Sequence, residues 1–310
     1  MLKYTIKRLL VLIPILFFVS IVAFGLVRLM PGEAEVAYLK AANIPPTEEM
    51  IQNARVQLGL DKPLPVQYFD WLAKAIRLDF GKSFILKKDV RPELIGALAN
   101  TAQIAWLSSL IVLAVSIPMG IISAVRANKE MDNVNRVIAF LGSSMPSFWL
   151  GPLLVQLFCL TLHWLPVQGM GSFRHLILPA LTLSVLYFAT YSRLLRNSLL
   201  ENMGKRFVTY SRARGISEKK IVTNHVLRTS MIPVVTTFGV NFGHMMAGTV
   251  IVEELFSWPG CGRLIVSSIG SRDFPMIQGY IVIMAVIFVV VNLITDLVTV
   301  ALDPRMREAL

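Results

Sequence analysis

Between Ser192 and Val234 lie nine basic side chains: Arg193, Arg196, Lys205, Arg206, Arg212, Arg214, Lys219, Lys220 and Arg228. Only Glu201 and Glu218 oppose them, and long apolar runs flank the interval on both sides. Such an excess beside membrane-length apolar segments belongs on the cytoplasmic face of a membrane. Within it Phe207, Tyr210, Ser211 and Arg214 recur at helical spacing. Gly215 offers the left-handed residue that ends a helix, and Ser217 can cap a second one. The pattern predicts helix, glycine, helix; a basic loop held by anionic lipid is the plainer alternative.

A second group of chemically capable residues sits in the apolar run that follows. Asn241 and His244 are polar groups that hydrocarbon penalises, so they are expected to face protein or water. Gly239, Gly243 and Ala247 recur every four residues and make a face on which another helix can approach closely. His244, next to Met245 and Met246, could touch a metal or metal complex in transit. A neutral histidine hydrogen-bonded between helices is the rival reading, because one imidazole without further ligands makes a weak site. Glu253 and Glu254 fall near the end of this run, and Asp296 lies in the last one; each could line a path or serve a structural pair.

Enzymatic chemistry finds little support. The four histidines, at 163, 175, 225 and 244, are scattered. Gly81-Lys82-Ser83 invites a nucleotide-binding reading, but a phosphate loop needs a glycine five residues before the Gly-Lys pair, and Ile76 stands there. No other Gly-Lys-Ser/Thr occurs, so an ATP-driven process would need its ATPase in a partner. Cys159 and Cys261 are read as two free or buried thiols, with a disulfide as the alternative.

The elements that must position these residues are membrane spans. Apolar residues make up 55% of the 310 and mean hydropathy is +0.64, too apolar for a soluble chain of this length. Six spans are expected: Leu9 to Met30, Ala102 to Ala124, Val137 to Leu162, Leu176 to Leu195, Ile232 to Phe256 and Ile277 to Leu302. Both termini are then cytoplasmic. This topology puts 17 basic and 6 acidic residues inside, so the net charge of +11 reflects positive-inside topology and implies no nucleic-acid partner. Pro14 is placed in the first turns of its run, and prolines 118, 146, 152 and 179 imply kinked helices around a path. The division is 1–30 N-terminal helix, 31–98 extracytoplasmic helical region, 99–302 membrane core with a cytoplasmic region at 193–231, and 303–310 tail. In the extracytoplasmic part, Thr47 caps a helix with Met50, Ile51, Ala54 and Leu58 on one face and Gly59 at its end. A second amphipathic helix carries Phe69, Leu72, Ala73 and Ile76 on its packing face, with Gly81 past its end. Leu255 to Tyr280 reads as a re-entrant or outer-surface hairpin.

The run Ser211-Arg212-Ala213-Arg214-Gly215, followed by His225 to Arg228 and Pro233, resembles the cytoplasmic signature of binding-protein-dependent ABC importer permeases. Thr209, Tyr210 and Ser211 stand where the broader signature has Glu-Ala-Ala. IKRLL, LGLDKPLPVQY, LDFGKSF, SMPSFWL, LPVQG, LRNS, FSWPGCGRL, DFPMIQG and LDPRMR extend the resemblance over nearly the whole chain. It is to the first permease of the dipeptide, oligopeptide and nickel branch, with NIPPTEEM most similar to nickel or metal-chelate permeases. The resemblance implies an all-α, six-span type I importer transmembrane domain in a bacterial cytoplasmic membrane. It also implies a second, distinct permease, two ATPase subunits that bind ATP and magnesium, and an extracytoplasmic substrate-binding protein. The chain itself would be non-catalytic and without cofactor. Tyr210, Arg212, Ala213, Arg214, Gly215 and Glu218 would contact an ATPase, and Asn241, His244, Met245, Glu253 and Asp296 would border the path. The cargo implied is nickel or a metal chelate, with dipeptide or oligopeptide import as the alternative. An ion-coupled secondary transporter is the rival of another class, although paired midmembrane charges and internal repeats are not seen.

Overall fold

The computed structural model describes residues 2–29 and 33–302. Their secondary structure is helical, apart from an isolated bridge between Lys82 and Asp89. In order, α1 spans Leu2–Leu29, α2 Ala34–Ala41, α3 Glu48–Gln57, α4 Leu64–Ile76, α5 Val90–Val125, α6 Glu130–Ser144 and α7 Ser147–Val155. After a π turn at Gln156–Thr161 come α8 Phe173–Met203, α9 Arg206–Ala213 and α10 Glu218–Lys220. A second π segment, Ile221–Val226, runs into α11 Leu227–Gly248, followed by α12 Val250–Leu255, α13 Cys261–Gly270 and α14 Phe274–Leu302. The 303–310 tail, with most of LDPRMR, lies outside the described residues.

The chain divides into two compact units. One comprises residues 2–5, Ala102–Trp258 and 290–302; the other comprises Ile6–Thr101 and Pro259–Val289. The first packs α8 against α6, α7 and α11. Its inner layer, Tyr191, Leu195, Leu199, Val208, Ile221, Val226 and Val234, joins α8 and α11 to the basic interval. The second unit is held by Phe84, Ile265, Phe274 and Ile277 around Val27, and by Phe80, Val90, Leu94 and Met276. There the Ser83 hydroxyl and the Phe84 N–H both donate to the Asp273 carboxylate, the latter at 3.1 Å.

The span count differs from six. Among the described residues four helices are long and apolar enough to cross a membrane: Leu10–Leu29, Val90–Val125, Phe173–Met203 and Phe274–Leu302. A fifth arises if Glu130–Ser144 and Ser147–Thr161, bent by 103° at their junction, form one broken span. The break has a local cause. Pro146 disfavours helical geometry at the residue before it, and Met145 is extended (φ −88°, ψ 118°). The expected span at Ile232 to Phe256 becomes α11 and α12, whose Thr236, Thr237, Asn241, His244, Glu253 and Glu254 dilute the apolar character. Pro14 is interior to α1, because the helix already begins at Leu2.

Thr47 does cap α3, accepting from the Met50 N–H at 3.4 Å, and Gly59 (φ 67°) ends it. On α4 the face that packs is not the expected one. Gln67 and Ala75 are buried, with Tyr68 and Trp71 against Phe24, whereas Phe69 is 60% and Ile76 74% exposed. Both faces of α4 are apolar, so periodicity alone did not choose between them; the ring contacts of Tyr68 and Trp71 do. Cys159 and Cys261 are both buried thiols, not joined in a disulfide.

Candidate functional site

The basic interval folds as helix, glycine, helix. At the end of α9 the Gly215 N–H donates to the Arg212 carbonyl (2.9 Å) and the Ile216 N–H to the Ser211 carbonyl (3.2 Å). These are the two bonds of a Schellman cap, which needs a left-handed residue between them. Gly215 supplies it at φ 76°. Across this bend Arg212 Nε and Nη2 donate to Glu218 Oε1 (2.5 Å) and Oε2 (3.2 Å), a bidentate clamp. Arg212 holds the Glu218 carboxyl below the usual carboxylate range, chiefly through that hydrogen bond. Ser217 occupies the N-cap position of α10, but its side chain makes no capping bond.

One side of the bend is anchored and the other is bare. Val208 is fully buried beside Ile221 and Val226, with Ile216 packed on the same cluster. Opposite, Tyr210 is 67% exposed with the Arg214 guanidinium 5.9 Å from its ring centre; Ala213 and Phe207 are also exposed. The structure thus brings Tyr210, Arg212, Ala213, Arg214, Gly215 and Glu218 together in one projecting element.

The residues of α11 are arranged differently. Asn241 donates from Nδ2 to the Tyr191 hydroxyl (2.9 Å). Met245 is buried and accepts a contact from the Ser109 hydroxyl at 3.5 Å, whereas His244 is exposed. Glu253, on α12, is fully buried and accepts from the Thr249 hydroxyl at 2.5 Å. Asp296 is half-buried on α14. The five thus differ in exposure, and among the described residues no group of three or more His, Cys, Asp or Glu side chains is placed to hold a metal. The small-residue face is real at Gly239: a Cβ there would fall 1.7 Å from Thr295 Oγ1.

A buried charge network was not foreseen. Asp132, on α6, has no exposed side-chain surface. Its carboxylate accepts from Arg196 Nε and Nη2 (both 2.7 Å), Arg136 Nη2 (2.8 Å), the Asn128 N–H (2.8 Å) and the Ser123 hydroxyl. It ties the α5–α6 turn to α8 at the base of the basic interval. Sequence held one signal for it: two acids, Glu130 and Asp132, among Arg126, Lys129 and Arg136 in a short loop, with a further arginine, Arg196, elsewhere.

With this geometry in view, comparison with known proteins is informative. Residues 116–308 match the family described as binding-protein-dependent transport system inner membrane component, and residues 1–105 match its N-terminal companion. The chain belongs to this family. The glutathione transport system permease protein GsiC of Escherichia coli (strain K12) is 39% identical over 308 residues, covering 99% of both chains. That of Shigella dysenteriae serotype 1 (strain Sd197) gives the same figures. Among solved structures, two inward-facing crystal forms of the MetNI methionine ABC transporter overlay with TM-scores of 0.56 and 0.58 at 16% identity. Each covers 68% of this chain and 96% of theirs. The fold is that of a type I ABC importer permease. The chain is a multi-pass inner-membrane permease subunit, itself non-catalytic, that works with ATPase and substrate-binding partners.

Proposed function

We propose that this permease carries short peptides, of the size and chemistry of glutathione, from a binding protein into the cytoplasm. One observation carries the reading: full-length 39% identity to permeases named for glutathione transport. It favours the peptide alternative over nickel or a metal chelate. In this reading the chain pairs with a second, distinct permease, both termini are cytoplasmic, and ATP and magnesium are bound by two ATPase subunits.

The bend from α9 to α10 acts as the coupling lever. Its exposed Tyr210, Ala213 and Arg214 meet a groove of an ATPase, while Val208 and the Arg212–Glu218 clamp keep it stiff. Closure of the ATPase pair pushes on the bend, and the packed layer of Tyr191, Leu195 and Val226 passes the displacement to α8 and α11. Peptide then moves beside α11, near Asn241 and His244, with Met245, Glu253 and Asp296 shaping the walls.

The test is ATPase activity of the complete complex in lipid, stimulated in parallel by binding protein loaded with glutathione, a dipeptide, nickel or a nickel chelate. Stimulation by glutathione or dipeptide alone is expected. Stimulation by the metal or its chelate alone would return the cargo to the metal class.

A further inference from the structure

The second compact unit contains a cavity of about 720 Å³, formed by the end of α1, α2, the α3–α4 turn, α4 and the segment leading to α5. This is within the size range of ligand pockets. Its charge is unbalanced: Arg28, Lys62, Lys74, Lys82 and Lys87 line it against two acids, Asp70 and Asp79. Both acids are engaged. Asp70 pairs with Lys62 at 2.8 Å, and Asp79 Oδ1 accepts from the Gly81 N–H at 3.0 Å. Among the described residues no carboxylate lies within ion-pairing distance of Lys74, Lys82 or Lys87.

Gln67, behind the wall, holds an unmet acceptor. Gln67 is 8% exposed and its Nε2 donates to the carbonyls of Leu60 (3.1 Å) and Lys62 (2.7 Å). Those two acceptors fix the amide orientation. Its Oε1 is left buried without a hydrogen bond. Buried polar atoms are rarely left so, and each one asks for a partner. That atom has no accessible surface toward the cavity, so it is the excess of cations alone that calls for an anion there.

Its position indicates where such an anion comes from. Arg28 is in the last turn of α1, where the apolar stretch Leu10–Leu29 ends, and lipid headgroups sit at the ends of spanning helices. The α4 helix lies along the same stretch: the Tyr68 hydroxyl is 2.7 Å from that of Ser20, and the Tyr68 ring meets Phe17 and Phe24. Ser20 is midway along the stretch, so α4 packs against the membrane-length part of α1. It leaves Leu64, Phe69 and Ile76 uncovered, 60% to 74% exposed.

We propose that this cavity binds the headgroup of an anionic phospholipid, a phosphodiester bearing hydroxyls such as phosphatidylglycerol. The phosphate sits among Lys74, Lys82, Lys87 and Arg28, and the acyl chains lie against the bare face of α4.

The probe is phosphatidylglycerol against phosphatidylcholine, counted as lipids retained per complex by native mass spectrometry of the whole assembly. A parallel arm offers soluble glycerol phosphate. Wild type is expected to retain phosphatidylglycerol about tenfold over phosphatidylcholine. Lys82→Gln/Lys87→Gln should remove most of that preference, and Lys40→Gln/Lys88→Gln, which deletes the same charge outside the cavity, should keep it. The four lysines are exposed, so both variants fold. Glycerol phosphate retained with the same dependence on Lys82 and Lys87 would support the anion site and name a soluble source. Equal retention by wild type and Lys82→Gln/Lys87→Gln, or equal loss in the control, would overturn the proposal.

Discussion

Replacing Gly239 by alanine puts a methyl group where none fits. The new Cβ would lie 1.7 Å from Oγ1, 2.4 Å from Cγ2 and 2.5 Å from Cβ of Thr295 on α14. Rotating the threonine does not clear the clash, because its own Cβ is part of it. To reach van der Waals contact the two helices must part by about 1 Å, and overpacking of this kind costs about 1–3 kcal/mol. The same interface holds the 3.3 Å contact between the hydroxyls of Thr236 and Thr299. Stretching that bond adds about 0.5–1.5 kcal/mol. A total near 2–4 kcal/mol should lower the melting temperature of the assembled complex in lipid by about 3–6 °C. Substrate-stimulated ATPase should fall with it, since α11 carries Asn241 and His244. Thr295→Gly removes the obstructing atoms, so Gly239→Ala/Thr295→Gly should recover most of the loss, less about 1 kcal/mol for glycine inside a helix. A melting temperature for Gly239→Ala within a degree of wild type, or a double variant no better than the single, would refute the reasoning.

Other expectations follow from the basic bend and the buried network. Gly215→Val forces a β-branched residue to φ 76°, at a cost of about 1–2 kcal/mol; ATP hydrolysis by the complex should persist while substrate-dependent stimulation drops several-fold. Arg212→Glu should also weaken stimulation by setting like charges across the bend, and Arg212→Glu/Glu218→Arg should restore part of it, measured as coupled ATPase activity. Because Arg212 depresses the Glu218 pKa, the contribution of this pair is present above the ordinary glutamate range and is lost only as pH falls through the lowered value. The arginine-dependent difference between wild type and Arg212→Gln should therefore be flat from pH 6 to 8. Asp132→Asn leaves two arginines facing a neutral, half-matched partner; breaking a buried pair costs about 3–5 kcal/mol, and thermal unfolding should show it. Arg196→Gln should cost a similar amount, and Asp132→Asn/Arg196→Gln much less than the two singles combined.

The basic bend was legible because its signals are local. Gly215 after Arg214, and apolar and polar residues in helical register before it, depend on a few consecutive residues. The same holds for Thr47 and Gly59 around α3. The span count was less legible, since apolar length alone reports neither a break set by Pro146 nor a helix such as α11 that carries polar residues for contacts within the bundle. The packing face of α4 was misassigned for a related reason: Phe69 and Ile76 are as apolar as Tyr68 and Trp71, and only the position of Phe24 decides between them. Asp132 and Arg196 are 64 residues apart; nothing local links two such charges, and sequence offered only the imbalance of each neighbourhood.

Covalent continuity is what makes the bend and the α11 residues one mechanical element. From Glu218 the chain is helical without interruption through the π segment Ile221–Val226 and α11 to Gly248. At about 1.5 Å per residue, the helical path from Glu218 to His244 is about 39 Å long. No loop intervenes to absorb a displacement. The hydrogen-bond ladder is interrupted at the π segment and at Pro233, which has no N–H to donate; at the first of these Ile221, Val222 and Val226 are buried, so packing resists further yielding there. A push on Tyr210 or Arg214 therefore meets a stiff clamp at Arg212–Glu218, a buried collar at Val226, and then the close contact of Gly239 with Thr295. That contact tolerates sliding along the helix axis better than separation, because small residues leave little to interlock. The rod should respond to the ATPase by rotating or sliding on α14 rather than by bending. Cross-linking a cysteine pair at Thr236 and Thr299 should consequently arrest transport while leaving binding of the ATPase subunits intact, and transport that survives such a cross-link would mean that the motion takes another route.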